Sequence, residues 1–209
     1  MFNFLKRLYF KLVRVTTPAP TPGGYGDESG GVPFIPNWGI IVPHTKAAQG
    51  ADSYNKKITE YIYGSMMVQQ IGRPFATRDE GGVFGAARSL ASRGVSASVE
   101  THYNAYNGLA SGCEILVLEG DKLSEHYARL FVEDFALKFK KKLRGDRGVV
   151  FVSKGDRGYA NLIAAKDAGM KVAILSELFF GDNAEDFVDY GDQAMFWHNT
   201  LVPVGDFPV

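Results

Sequence analysis

Four side chains in this sequence have types and placements that could do chemistry together. His44 follows the apolar run "GIIVP", His102 follows "SASVET", and Glu177 lies late in "VAILSEL". Each run reads as a strand, and each polar group falls towards its carboxyl end. In open α/β sheets that is where ligands collect. The fourth is Glu60, in a helical stretch that is apolar nearly all round: Ile58, Tyr61, Ile62, Tyr63, Met66 and Met67 surround it. A carboxylate buried there needs a partner, because an unpaired buried charge is strongly unfavourable or changes its protonation. A cation held between Glu60, His44 and His102 would satisfy it. Two imidazoles and one carboxylate form a catalytic zinc set with one position open for water. The chemistry such a set supports is metal-assisted hydrolysis of an amide. Gly64, one turn after Glu60, is expected to leave space beside it.

Each residue also has a plainer reading. A lone histidine at a strand end is usually a surface or hydrogen-bonded one. Glu60 could pair with a lysine or arginine, and Glu177 could cap a helix or accept from a backbone amide. His126, beside Glu125 in a long helix, and His198, near the C-terminus, are read as structural or solvated.

The elements that must position these groups alternate along the chain. "WGIIVP" (38–43) reads as a strand. Residues 53–71 read as a helix, since Tyr54, Ile58, Ile62 and Met66 fall four apart. "PFATR" is a short strand and 83–93 a short helix. "VSASVETH" (95–102) and "CEILVLE" (113–119) are strands. Residues 122–143 form the clearest helix, with Leu123, Tyr127, Leu130, Phe131, Phe135 and Phe139 on one stripe. "GVVFVS" is a strand, 159–168 a helix, and "KVAILSELFF" the last strong strand. Asn183 suits the N-cap of a closing helix in "NAEDFVDYG". Such alternation predicts an α/β fold: a single domain with a mostly parallel mixed sheet flanked by helices, and the metal site at the carboxyl ends of its strands. Asn104 and Asn107 are expected to shape the loop after His102, because asparagine tolerates turn conformations.

Composition narrows the function classes. With 23 basic and 23 acidic residues among 209, the net charge is zero. That speaks against nucleic acid as a partner, which needs a basic surface. One cysteine, Cys113, rules out an internal disulfide framework and a cysteine-rich zinc site. Its apolar setting in "GCEILVLEG" favours a buried, inert thiol. No apolar run reaches the roughly 18 residues that a spanning helix needs.

The N-terminal region differs from the rest. In residues 1–15, Phe2, Leu5, Tyr9 and Leu12 recur at helical spacing, and Lys6, Arg7, Lys11 and Arg14 add four positive charges. The charges interrupt the apolar stretch too often for a signal-peptide core. This basic amphipathic segment could lie on a membrane surface, dock on a particle protein, fray, or pack on its own domain. Residues 16–33, rich in Pro, Gly and Thr, read as a linker, so the catalytic domain is expected at 34–209.

"VETHYNAYNG" followed by "GCEILVLEG" resembles the core of the zinc-dependent N-acetylmuramoyl-L-alanine amidases of the amidase-3 type, found in bacteria and in phage endolysins. "AILSELFFGDNAEDF" resembles the second signature of that family. "ATRDEGGVFGAARSLASRGVSASVETH" is similar to its Thr-Arg strand, Arg-bearing helix and histidine strand. "NKKITEYIYGSMM" resembles the helix with the carboxylate ligand, sixteen residues after His44. The likeness runs over roughly residues 38–190. The family usually has Gly-His where this chain has Pro43-His44. The resemblance implies zinc on His44, Glu60 and His102, with Glu177 as general base and acid. It implies peptidoglycan as substrate, cut between N-acetylmuramic acid and L-alanine. The alternatives are a zinc peptidase acting on the stem peptide, and a non-catalytic wall-binding component of a phage or secretion particle. Such a protein, made in the cytoplasm without a cleavable signal, is expected to act at the bacterial cell wall, periplasmic or extracellular. It would get there through lysis, a holin or an assembled particle.

Overall fold

A computed structural model describes residues 34–201, and the elements below all lie in the unit that begins at Pro36. The segment expected at 1–15 and the linker at 16–33 lie outside the described residues. Six strands form one sheet: β1 (Trp38–Val42), β2 (Phe75–Thr77), β3 (Ala97–Asn104), β4 (Glu114–Leu118), β5 (Val149–Val152) and β6 (Val172–Phe180). Their spatial order is β2-β1-β3-β6-β4-β5. All neighbours are parallel except β4 and β6, which pair antiparallel. The α/β domain with a mostly parallel mixed sheet is therefore the observed architecture.

Five helices flank the sheet: α1 (Glu60–Val68), α2 (Gly82–Ala91), α3 (Lys122–Phe139), α4 (Tyr159–Asp167) and α5 (Tyr190–Leu201). The helices lie on two faces because alternate strand residues point opposite ways. Ile41, Leu116 and Leu175 pack with Ala86 and Leu90 of α2 and Leu162 and Ala165 of α4. On the opposite face Trp38 meets Tyr127 and Phe131 of α3, and Phe131 meets Trp197 of α5. β6 is buried along its whole length, as expected for a strand covered on both sides. Each large apolar side chain enclosed this way contributes about 1.5–3 kcal/mol of transfer free energy.

Two helical expectations change. The first helix starts at Glu60, not at residue 53. Residues 53–59 instead form a loop closed by a bridge between Asp52 and Thr59, and Thr59 caps the helix by accepting from the Ile62 amide. The four-residue spacing of Tyr54 and Ile58 was not helical: Ile58 is half-buried at one end of the loop, and Tyr54, exposed at the other, lays its ring edge against Phe187. The closing helix starts at Tyr190, beyond "NAEDFVD". Asn183 does cap a turn, since its side chain accepts from the Glu185 amide, but that turn does not propagate. Asp186 is the reason: it is buried and accepts from the amides of Phe180 and Gly112, which ties the segment to the end of β6 and the approach to β4.

Candidate metal centre

β1, β3 and the N-terminus of α1 bring three of the four expected residues together. The ligand atoms of His44, Glu60 and His102 all lie within 4.8 Å of one another. His44 Nε2 is 2.5 Å from Glu60 Oε2, and His102 Nδ1 is 3.5 Å from Glu60 Oε1. The two imidazoles meet edge to face, with centroids 5.1 Å apart.

Each group is placed by local structure. Glu60 is the first residue of α1, so its carboxylate sits against the positive end of the helix. It also accepts from the amides of Ala51 and Tyr103, each at 3.3 Å. The Tyr103 hydroxyl donates to the carbonyls of Ala51 and Ile58, which pins the loop before α1 onto β3. His44 adopts a left-handed backbone, φ 61°, immediately after Pro43. A non-glycine residue there carries roughly 1–2 kcal/mol of strain. That turn brings its ring back over Glu60. His102 lies inside β3, two residues from its end, so the strand runs further than the sequence pattern indicated.

The residues present fit a metal ion. Three donors converge, and His44 Nε2 is buried with no hydrogen-bond partner although a carboxylate oxygen is close. Gly50, φ 78°, leaves the hollow open: a Cβ there would collide with the Glu60 carboxylate and the His44 ring. Gly64 has another task. A Cβ on it would press on Pro43 and Val42, so its room is used by the strand end and not by Glu60. Electrostatics agree with an incoming cation. Burial alone would raise the Glu60 carboxyl, but hydrogen bonds and charge from His102 and His44 bring it down to about 2. Burial would lower His102, yet Glu100 and Glu60 hold it up at about 9. The site asks for positive charge.

Glu177 is brought beside this cluster without joining it. It is the register partner of His102 on the adjacent strand, so both side chains leave the same face. Just beyond this pair β6 carries one extra residue, since His102 pairs with Glu177 and Asn104 with Phe180. Bulges of this kind re-aim side chains next to active sites. Burial pushes the Glu177 carboxyl up, while the charges of Arg157 and His102 pull the other way. Arg157 Nη1 is 2.6 Å from Glu177, and Arg157 Nη2 donates to Glu114 Oε1 at 2.6 Å.

Several participants were not singled out from sequence. Glu100 is buried on β3 and accepts from Arg78, Asn161 and His102. Glu114, at the start of β4, is the register partner of Glu177. A period-two reading back from His102 would have reached Glu100, whereas Arg157 and Asn161 carry no such signal. Asn104 is a strand residue that donates to Glu114 at 2.9 Å, not a loop-shaper. Asn107 does shape the loop, accepting from the amides of Leu109 and Ala110. Cys113 is fully buried and its thiol is pushed up to about 12 by burial, consistent with an inert group. His198 Nδ1 lies 2.9 Å from the Ile71 carbonyl, a structural placement.

No protein-family model and no curated protein matches the sequence. Solved structures do match. The catalytic domain of CwlV, the N-acetylmuramoyl-L-alanine amidase from Bacillus (Paenibacillus) polymyxa var. colistinus, superposes with a TM-score of 0.60 at 15% identity, over 78% of this chain and 94% of that one. The N-acetylmuramoyl-L-alanine amidase from Clostridium difficile 630 gives 0.59 at 18% identity, over 78% and 93%. The catalytic domain of the CD27L endolysin, which targets Clostridia difficile, gives 0.57 at 20% identity, over 80% and 97%. This chain has the fold of the N-acetylmuramoyl-L-alanine amidases.

Proposed function

We propose that this protein hydrolyses the amide between N-acetylmuramic acid and L-alanine in peptidoglycan, with a zinc ion held by His44, Glu60 and His102. The observation that carries the reading is the convergence of those three donors at the strand ends of an amidase fold. When bound there, zinc would lower the pKa of a water to about 7 and polarise the scissile carbonyl.

The chain's own groups supply the rest. Glu177 takes a proton from the attacking water as its oxygen bonds to the lactyl carbonyl carbon. It then delivers that proton to the L-alanine nitrogen as the C–N bond breaks. Its burial supports this role, because a raised carboxyl holds and returns a proton more readily near neutral pH. Arg157 and Glu114 keep the carboxylate in place through an ion-pair chain. The protein would act at the bacterial cell wall. Residues 1–15 would tether it to a membrane surface or particle, and 16–33 would link that tether to the catalytic domain at 34–209.

Mass spectrometry of purified peptidoglycan after digestion tests the reading. It expects peptides with a new L-alanine amino terminus and intact glycan strands. New reducing sugar ends would mean a glycosidase. New termini inside the stem peptide would mean a peptidase, and no cleavage by zinc-loaded protein would leave a wall-binding component.

A further inference from the structure

His102 has two ring nitrogens with different surroundings. Nδ1 faces Glu60 at 3.5 Å, and Nε2 faces Glu100 Oε1 at 3.2 Å. Glu100 is itself immobilised. It is buried in the middle of β3, two residues before His102 and on the same face. Asn161 from α4 donates to Oε1 at 2.9 Å, and Arg78 donates to the same oxygen through Nε at 2.9 Å and through Nη2. Arg78 Nη2 also lies 3.4 Å from His102 Nε2. That guanidinium contact is the longer of the two at Nε2, and the Glu100 carboxylate oxygen at 3.2 Å is the nearer group. A carboxylate oxygen at that distance calls for a proton on Nε2.

We propose that Glu100 is a positioning residue for the metal site: it takes the Nε2–H of His102, fixes that tautomer, and so turns the Nδ1 lone pair towards Glu60 and His44. The inference rests on the metal reading above and deepens it. Metal-bound histidines depend on such outer partners for ring orientation and ligand basicity. Here the partner sits on the same rigid strand, with α4 and the 3-10 turn at Arg78–Glu80 gripping it from two sides. The strand itself thereby sets the ring's direction.

The test uses the full-length chain with imidazole nitrogens labelled. In the zinc-loaded parent, long-range nitrogen–proton NMR should show His102 with Nε2 protonated and Nδ1 carrying the metal-bound shift. Glu100→Gln keeps the shape but removes the charge. It should weaken zinc binding by about ten- to a hundredfold, read by chelator competition, and should move the Nε2–H signal. Nδ1 protonated with Nε2 on the metal overturns the inference from the parent alone, even if the variant fails to fold. Unchanged affinity and an unchanged ring signal in Glu100→Gln overturn it while leaving the metal reading intact. A parent that binds no zinc overturns both.

Discussion

The two halves of the candidate site handle charge in opposite ways. Around Glu60, two imidazoles and a carboxylate converge, and among the described residues Arg78, 3.4 Å from His102, is the cation hydrogen-bonded to the group. Around Glu177, the negative charge is already answered: Arg157 spans Glu177 and Glu114, and Arg144 Nε reaches Glu114 at 3.3 Å. A helix N-terminus thus presents one carboxylate to two imidazoles, while a strand presents another to which the chain itself supplies a cation. Under the proposed roles, the difference separates holding a metal from moving a proton. A ligand must stay charged, whereas a proton carrier must be able to gain and lose its charge.

The largest effect should separate these two carboxylates. Glu60→Gln is expected to lose both zinc and turnover. Glu177→Gln is expected to keep zinc and melting temperature while losing about a hundredfold to ten-thousandfold in rate. Zinc content, thermal unfolding and turnover measured on both variants decide it. A Glu177→Gln protein empty of metal, or one that hydrolyses wall at the parent rate, would erase the distinction.

A smaller effect should come from Gly50→Ala. The added methyl meets the Glu60 carboxylate and the His44 ring, at a backbone φ of 78° that disfavours alanine by roughly 1–2 kcal/mol. Zinc affinity and stability should both fall while the Arg157–Glu177–Glu114 chain is untouched. Equal zinc affinity would mean the metal does not occupy the hollow beneath Gly50.

The pH dependence of chelator-treated protein sharpens the contrast further. His102 is raised in the fold, to about 9 from 6.5, so its contribution is fully present below about 6.5 and is lost as pH rises through about 9. Glu60 is depressed to about 2 from 4.5, so its contribution is present above about 4.5 and is lost as pH falls towards 2. The metal-free protein should melt highest between about 4.5 and 6.5 and progressively lower towards pH 9. Zinc should flatten the alkaline side, because it takes over the role of the histidine proton. A melting curve that rises from pH 7 to 9 without metal would contradict this.

The smallest effect is expected from removing residues 1–25. Zinc binding and hydrolysis of soluble wall fragments should stay near parental values, and attachment to a membrane or particle should suffer. Loss of folding by circular dichroism would show that the segment belongs to the domain.

The sequence by itself determined the alternating elements, the sheet class and the three residues that the fold brings together as a group able to hold a metal. Apolar runs of strand length and a helical stripe are local patterns, and His44, His102 and Glu177 mark themselves by falling where such runs end. Glu60 stood out as an acid in an apolar stretch. Local pattern misled where a long-range bond outweighed it. Residues 53–59 and 183–189 have helical spacing or a good cap, yet Tyr103 and Asp186 hold them as loops. Only the tertiary structure decided that Arg157, twenty residues before Glu177, and Asn161 from α4 reach the site, and that Gly50 keeps it open. Those contacts come from strand order. β6 inserts between β3 and β4, and no periodicity along the chain records which strands become neighbours.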